Sequence, residues 1–174
     1  MTEPEPWAAP APGPGVPVGP FHGLEAFQQS VRDALAAAAH EGWPEIVLSD
    51  ADFDDWPLGE RAVIESLERW ARRGRRLSML ACDFDALVRR HPRFVRWRVT
   101  WDPIVVCRRS RSADPLNIPS ALWSPAWVLQ RLDPVHSVGI SGREPERLVR
   151  VRELLNEWLH SKSTPGFPAT TLGL

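Results

Sequence analysis

Cysteine is scarce in this sequence, tyrosine is absent and lysine occurs once. The two cysteines, Cys82 and Cys107, are too few and too far apart for a disulfide framework or a four-ligand zinc site. No uninterrupted apolar stretch approaches the roughly 18 residues that a membrane-spanning helix needs. The first residues also lack the basic start and the apolar block of a secretory signal. These absences favour a cytoplasmic protein with no disulfide scaffold.

The remaining composition is typical of an ordinary globular protein. Of 174 residues, 43% are hydrophobic and 25% are charged. This length suits one domain, because domains usually have roughly 100–200 residues. Arginine occupies 20 of the 21 basic positions, which is typical of a bacterium with a GC-rich genome.

Proline marks the ends of the predicted domain. Seven of the 18 prolines lie in residues 1–20, and proline removes amide donors and fixes φ. Residues 1–20 are therefore predicted to be a disordered tether. An α/β domain is predicted over 21–162. Residues 163–174, which contain Pro165 and Pro168, are predicted to be an irregular tail.

Hydrophobic periodicity predicts helices and strands in alternation. The helices fall at about 24–40, 58–73, 84–91 and 144–160. The strands fall at 45–48, 76–81, 94–99, 104–107, 126–132 and 137–140, and the proline-containing stretch 112–125 is predicted to be a loop or an edge. This order predicts a single-domain α/β fold, with a mixed, mostly parallel sheet and helices on both faces.

Acidic residues follow two of the predicted strands. The residues concerned are Asp50, Asp52, Asp83 and Asp85. Ligands of open α/β sheets bind beyond the carboxyl ends of strands, and Mg²⁺ prefers carboxylates, so these four residues are candidate metal ligands. Aspartate at such positions also accepts hydrogen bonds from the free amides at the start of a helix. Helix capping is the interpretation that we favour.

The charge is unevenly distributed along the chain. Residues 1–60 carry a net charge of −10 and residues 61–111 a net charge of +9, while residues 112–174 are balanced. Arginine alternates with aromatic residues in the basic part, as in proteins that clamp phosphates and stack bases. The candidate anion-binding or nucleic-acid-binding residues are Arg93, Arg96, Arg98 and Arg108.

A solvated strand face would give the same pattern of arginines. No nucleic-acid-binding motif accompanies it, and the overall charge is −1. A nucleic acid is therefore not an expected partner.

Tryptophan is abundant, with nine residues. A buried indole needs a partner for its N–H, and some of these side chains could instead face another protein. The candidate partner-binding residues are Trp97, Trp101, Trp123 and Trp127.

The order of elements over 45–160 resembles one half of the phospholipase D superfamily, which also ends in paired strands and a long helix. The family's catalytic motif is His-x-Lys followed by an aspartate. This chain has His160-Ser161-Lys162, but Phe167 stands where the aspartate would be. The resemblance thus implies a phospholipase D-like half-domain without catalytic residues. The segments 123–134 and 167–174 are also similar to uncharacterised bacterial proteins of unknown function.

These observations predict a non-catalytic binding or regulatory module that acts through protein–protein contacts. The expected partner is another protein or a second copy of the chain, and no cofactor is expected. Two alternatives remain open. One is a metal-dependent phosphoryl or nucleotide enzyme that uses Mg²⁺ at the four aspartates, and the other is an arginine-rich nucleic-acid-binding domain.

Overall fold

The structure of the protein, a computed structural model, describes residues 15–112 and 114–167. The helices in this part of the chain are α1 (Leu24–Glu41), α2 (Arg61–Ala71), α3 (Asp85–Arg90), α4 (Pro92–Thr100) and α5 (Pro145–Ser161). The strands are β1 (Gly19–His22), β2 (Glu45–Ser49), β3 (Arg76–Ala81), β4 (Val105–Ser110), β5 (Ser120–Trp123), β6 (Val128–Asp133), β7 (Val138–Gly142) and β8 (Ser163–Pro165).

All eight strands form one sheet in the order β1-β7-β6-β5-β2-β3-β4-β8. Only β2–β3 and β3–β4 pair in parallel, and the five other described pairs are antiparallel. The fold is thus a single-domain α/β fold with a mixed sheet, as predicted, but the expectation of a mostly parallel sheet is wrong. Hairpin connections after residue 120 and the added edge strands β1 and β8 make the sheet mostly antiparallel.

The helix α4 replaces the strand that was predicted at 94–99. Its buried side chains are Phe94, Trp97 and Arg98. Their i, i+3, i+4 spacing places them on one helical face. Pro92 is the first residue of α4, a position where proline needs no amide donor. It therefore starts a new helix in addition to ending the one before.

Strand β5 lies inside the sheet, between β6 and β2, where the sequence predicted a loop or an edge. All four of its residues are buried. The neighbouring prolines, Pro119 and Pro125, flank the strand, so they leave its ladder intact.

Both predicted terminal segments contribute to the sheet. Strand β1 begins within the predicted tether and pairs with β7, and β8 lies within the predicted tail and pairs with β4. The rest of the predicted tether, residues 1–14, and of the tail, residues 168–174, lie outside the described residues.

Alternating strand residues divide the core between the two faces of the sheet. Ile46 and Leu48 belong to the larger cluster, with the buried residues of α1, α2 and α4. Val47 and Trp123 belong to a second cluster, with Val151 and Leu155 of α5. Helices therefore cover both faces. None of the helices described is both long enough and apolar enough to cross a membrane.

Candidate anion-binding surface

Asp50, at the end of β2, uses both oxygens of its carboxylate within the fold. Its Oδ2 accepts a hydrogen bond from the Phe53 amide at 2.9 Å. Its Oδ1 accepts from Ser120 Oγ at 2.7 Å and from Arg131 Nη2 at 2.9 Å. This side chain thus fixes the turn after β2 and ties it to β5 and β6.

The carboxylates of two other candidate metal ligands, Asp52 and Asp83, also accept hydrogen bonds from nearby backbone. Asp52 Oδ1 accepts from the Asp54 amide at 2.9 Å, and Asp83 Oδ1 accepts from the Asp85 amide at 3.1 Å. Burial and the neighbouring carboxylates raise the pKa of Asp52. Within 15–112 and 114–167, no three His, Cys, Asp or Glu side chains are grouped so that they could hold a metal ion.

Arg131 of β6 is a buried cation that the sequence analysis did not single out. Besides Asp50, it binds Asp55, with Nη1 2.7 Å from Oδ2. Its guanidinium lies 4.0 Å from the centre of the Phe27 ring. Burial alone would lower the pKa of Arg131, but the hydrogen bonds and charges of Asp55 and Asp50 outweigh burial and raise it. Arg131 therefore remains charged and balances the acidic turn.

Two of the four arginines predicted to bind anions are held in place by hydrogen bonds within the fold. Arg98 is only 4% exposed, and it donates to Asp102 Oδ1 at 3.0 Å and to the Phe167 carbonyl at 2.7 Å. Arg108 donates to the Ser163 carbonyl at 2.7 Å, which links β4 to β8.

The other two, Arg93 and Arg96, are exposed on α4. They line an open groove beside α2 that also contains Glu65 and Glu68. The structure therefore does not bring the four predicted arginines together, and the two exposed ones share their groove with carboxylates.

The tryptophans predicted to bind a partner mostly belong to the core. Trp97, Trp123 and Trp127 are buried. Trp127 donates from its indole to the Pro17 carbonyl at 2.9 Å, and Trp123 donates to the Leu148 carbonyl at 2.8 Å. Trp101 is half-buried and donates to Glu68. These residues do not form an exposed aromatic surface.

A cluster of basic side chains lies between the ends of α1 and α2. A cleft of about 450 Å³, here called the α1–α2 cleft, is lined by Ala36, Ala39, His40, Arg69, Arg72 and Arg73. No carboxylate is among these lining residues. Across the described chain, none of the three arginines has a carboxylate within 4.0 Å.

The helical register explains how the arginines converge. Arg69, Arg72 and Arg73 are spaced i, i+3 and i+4 and share one side of the α2 terminus. Trp70 points inward, and its indole donates to the Trp43 carbonyl at 2.6 Å. Both α1 and α2 end at this side of the sheet, and the negative ends of their dipoles stabilise the clustered cations but oppose an incoming anion. Attraction for an anion in this cleft therefore comes from the guanidinium groups of the three arginines alone.

The arginines predicted to bind anions all lie after residue 89, so this cleft is not among the sites predicted from the sequence. The i, i+3, i+4 spacing of Arg69, Arg72 and Arg73 was a usable signal. His40 could not have been placed beside them, because that contact depends on the packing of α1 against α2.

The fold is similar to that of TrmBL2, an archaeal chromatin protein. The TM-score is 0.61 at 15% sequence identity, and the match covers 86% of this chain. The chain spans 55% of the length of TrmBL2. TrmBL2 has been described as showing a novel mode of DNA binding. No family model matches the chain, and no curated protein matches it.

These findings correct two expectations. The resemblance to a phospholipase D half-domain and to uncharacterised bacterial proteins is wrong, because a solved structure that matches this fold is that of TrmBL2 and no family model matches the chain. The argument against a nucleic-acid partner is wrong as well. TrmBL2, whose fold is similar, is described as a DNA-binding protein, so a near-neutral overall charge is not a sufficient reason to exclude such a partner.

Proposed function

We propose that this protein binds DNA through contacts with its phosphates, centred on the α1–α2 cleft. The observation that carries the proposal is the convergence of three arginines and a histidine in one cleft whose lining contains no carboxylate. DNA binding by TrmBL2, which has a similar fold, supports the same class of ligand.

The chemistry of the cleft suits a phosphate group. A guanidinium presents donors in a planar fork that matches two phosphate oxygens, and such charge-assisted hydrogen bonds are stronger than neutral ones. Release of the counterions that surround DNA supplies the driving force for this kind of contact. Nothing in the cleft requires a particular base, so binding is expected to be largely independent of sequence.

Neighbouring arginines extend the positive surface. Helix α2 packs against both α1 and α4, so Arg93 and Arg96 of α4 belong to the same helical layer as the cleft. Glu65 and Glu68 lie among them and reduce the positive potential there. The cleft therefore makes the main contact with DNA, and α4 makes a secondary one.

This proposal replaces action through protein–protein contacts. That interpretation depended on exposed tryptophans, and Trp97, Trp123 and Trp127 are buried. DNA binding requires exposed arginines, and the side chains of Arg69, Arg72 and Arg73 all reach solvent.

Fluorescence anisotropy with a short labelled DNA duplex tests the proposal. The double variant Arg72→Gln, Arg73→Gln should bind at least about tenfold more weakly, because two charge-assisted contacts are lost. The matched control is Arg111→Gln, Arg150→Gln, which removes the same charge from exposed positions outside the cleft. Equal weakening in the two double variants would contradict a contact centred on the cleft.

A further inference from the structure

A second cavity, of about 220 Å³, lies between the sheet and the end of α5. Its floor contains Glu45 of β2, Arg76 and Ser78 of β3, and Arg108 of β4. Its wall contains Asn156 and His160 of α5. This site lies apart from the α1–α2 cleft and shares no lining residue with it.

Ser78 offers the cavity a hydroxyl that no other described residue uses. The residue is only 5% exposed, yet it lines the cavity. Throughout the described residues, its hydroxyl makes no hydrogen bond, whereas the buried Ser49 and Ser124 hydroxyls both do. This hydroxyl is therefore free to donate a hydrogen bond to a molecule that enters the cavity.

Arg76 and Arg108 give the cavity its positive charge. Hydrogen bonds hold the Arg108 side chain, whereas the Arg76 side chain forms no ion pair with any described residue. Arg108 is held in place by donating to Ser163 Oγ at 3.0 Å and to the Ser163 carbonyl. Arg76 is opposite Glu45 in the strand register, but the two form no ion pair in the part of the chain that the structure describes. Arg76 is thus available to an incoming anion.

The remaining polar groups suit a ligand that carries hydroxyls as well as charge. Glu45 accepts hydrogen bonds, and the Asn156 amide both donates and accepts them. The cavity is smaller than the roughly 300–1,000 Å³ of typical drug-sized sites, so its ligand has only a few carbon atoms.

We propose that this cavity binds a small phosphate monoester that carries free hydroxyl groups. The phosphate contacts Arg76, Arg108 and Ser78, and the hydroxyls contact Glu45 and Asn156. The site does not depend on the proposed DNA contact, so either can fail without the other.

The test follows backbone and side-chain amide resonances by NMR while glycerol 3-phosphate is added to the full chain. Saturable shifts are expected at Ser78 and at the Asn156 side chain. Arg76→Gln should weaken this binding by about tenfold or more, and Ser78→Ala by about fivefold, from the lost charged and neutral hydrogen bonds. Arg111→Gln, the matched charge control, should leave it unchanged.

The Arg72→Gln, Arg73→Gln variant separates the two sites, since it should retain glycerol 3-phosphate binding in the cavity. Absence of saturable shifts at Ser78 in the unmodified chain would overturn the proposal. So would shifts that survive Arg76→Gln but disappear in the cleft variant. Inorganic phosphate should bind more weakly than the ester, and equal affinity would contradict recognition of the hydroxyls.

Discussion

Arg131 donates from Nη2 to Asp50 Oδ1 over 2.9 Å, and the two side chains are only 2% and 5% exposed. The pair joins β6 to the turn after β2, across the intervening strand β5. Ser120 of β5 binds the same Asp50 oxygen and accepts a hydrogen bond from Arg131 Nε at 3.0 Å. The contact therefore joins three neighbouring strands in the middle of the sheet, near one end of each strand.

Removing this cation should strongly destabilise the protein. Arg131→Met leaves Asp50 buried and without its counter-charge, and breaking a buried pair in this way costs about 3–5 kcal/mol. Urea denaturation of the variant measures the change in the free energy of unfolding. Arg152→Met, which removes an exposed guanidinium above Trp123, is the control and should cost far less. A loss below about 1 kcal/mol for Arg131→Met would resemble an exposed pair and contradict this role.

Trp127 should matter for folding and not for capture of a partner. Its side chain is fully buried and stacks on Trp43 with 6.4 Å between the ring centres. Trp127→Ala is expected to lower the free energy of unfolding by about 3–5 kcal/mol, as for other large core truncations. Trp101→Ala, at a half-buried position, should cost less. An unchanged melting temperature for Trp127→Ala would show that the indole does not support the core.

Gly74 is expected to tolerate no side chain beside Trp70. A Cβ at position 74 would overlap the Trp70 ring, and Trp70 is itself anchored to the Trp43 carbonyl. Gly74→Ala should therefore cost about 1–3 kcal/mol through overpacking. A double-mutant cycle with Trp70→Leu checks the cause, because the cost of the alanine should fall once the ring is gone. A cost that is the same in both backgrounds would point to the backbone instead.

The ion pair between Arg32 and Glu60 should give a defined pH dependence. The hydrogen bond from Arg32, with its charge, lowers the pKa of Glu60 below the ordinary 4.5 against the opposing effect of burial. The pair therefore stabilises the fold above pH 4.5, and this contribution is lost as the pH falls through the lowered pKa. Because the Glu60 side chain is 43% exposed, water screens the pair, and Glu60→Gln should cost only about 0.5–1 kcal/mol at neutral pH.

Denaturation of both proteins across the acid range checks this dependence. The difference between Glu60→Gln and the unmodified chain should shrink as the pH is lowered below 4.5. A difference that stays constant, or grows, would mean that the charge of Glu60 is not the source of the stability.

Local patterns predicted the regular helices and the buried strands well. Apolar spacing located α1 and α5, and short apolar runs located β2 and β3 to within a residue or two. Pairing direction could not be read in the same way, because it depends on contacts between distant segments. Residues 120–123 show this limit, since their place between β6 and β2 is set by partners and not by their own sequence.

Prediction of the candidate site failed for a related reason. The density of arginines favoured the basic stretch after residue 89. Tertiary structure, however, decides which of these guanidinium groups are engaged in hydrogen bonds within the protein. Arg98 and Arg108 are held by Phe167 and Ser163, which are far away in sequence. Arg72 and Arg73 remain exposed because they end α2 on the side that faces α1.

The salt dependence of DNA affinity tests the central claim most directly. The logarithm of the DNA affinity falls linearly with the logarithm of the salt concentration. Each phosphate contact makes the slope of this line steeper by about 0.9. If Arg72 and Arg73 each bind a phosphate, the Arg72→Gln, Arg73→Gln variant should have a slope about 2 units shallower than that of the unmodified chain. An identical slope in the two proteins would contradict phosphate binding in the α1–α2 cleft.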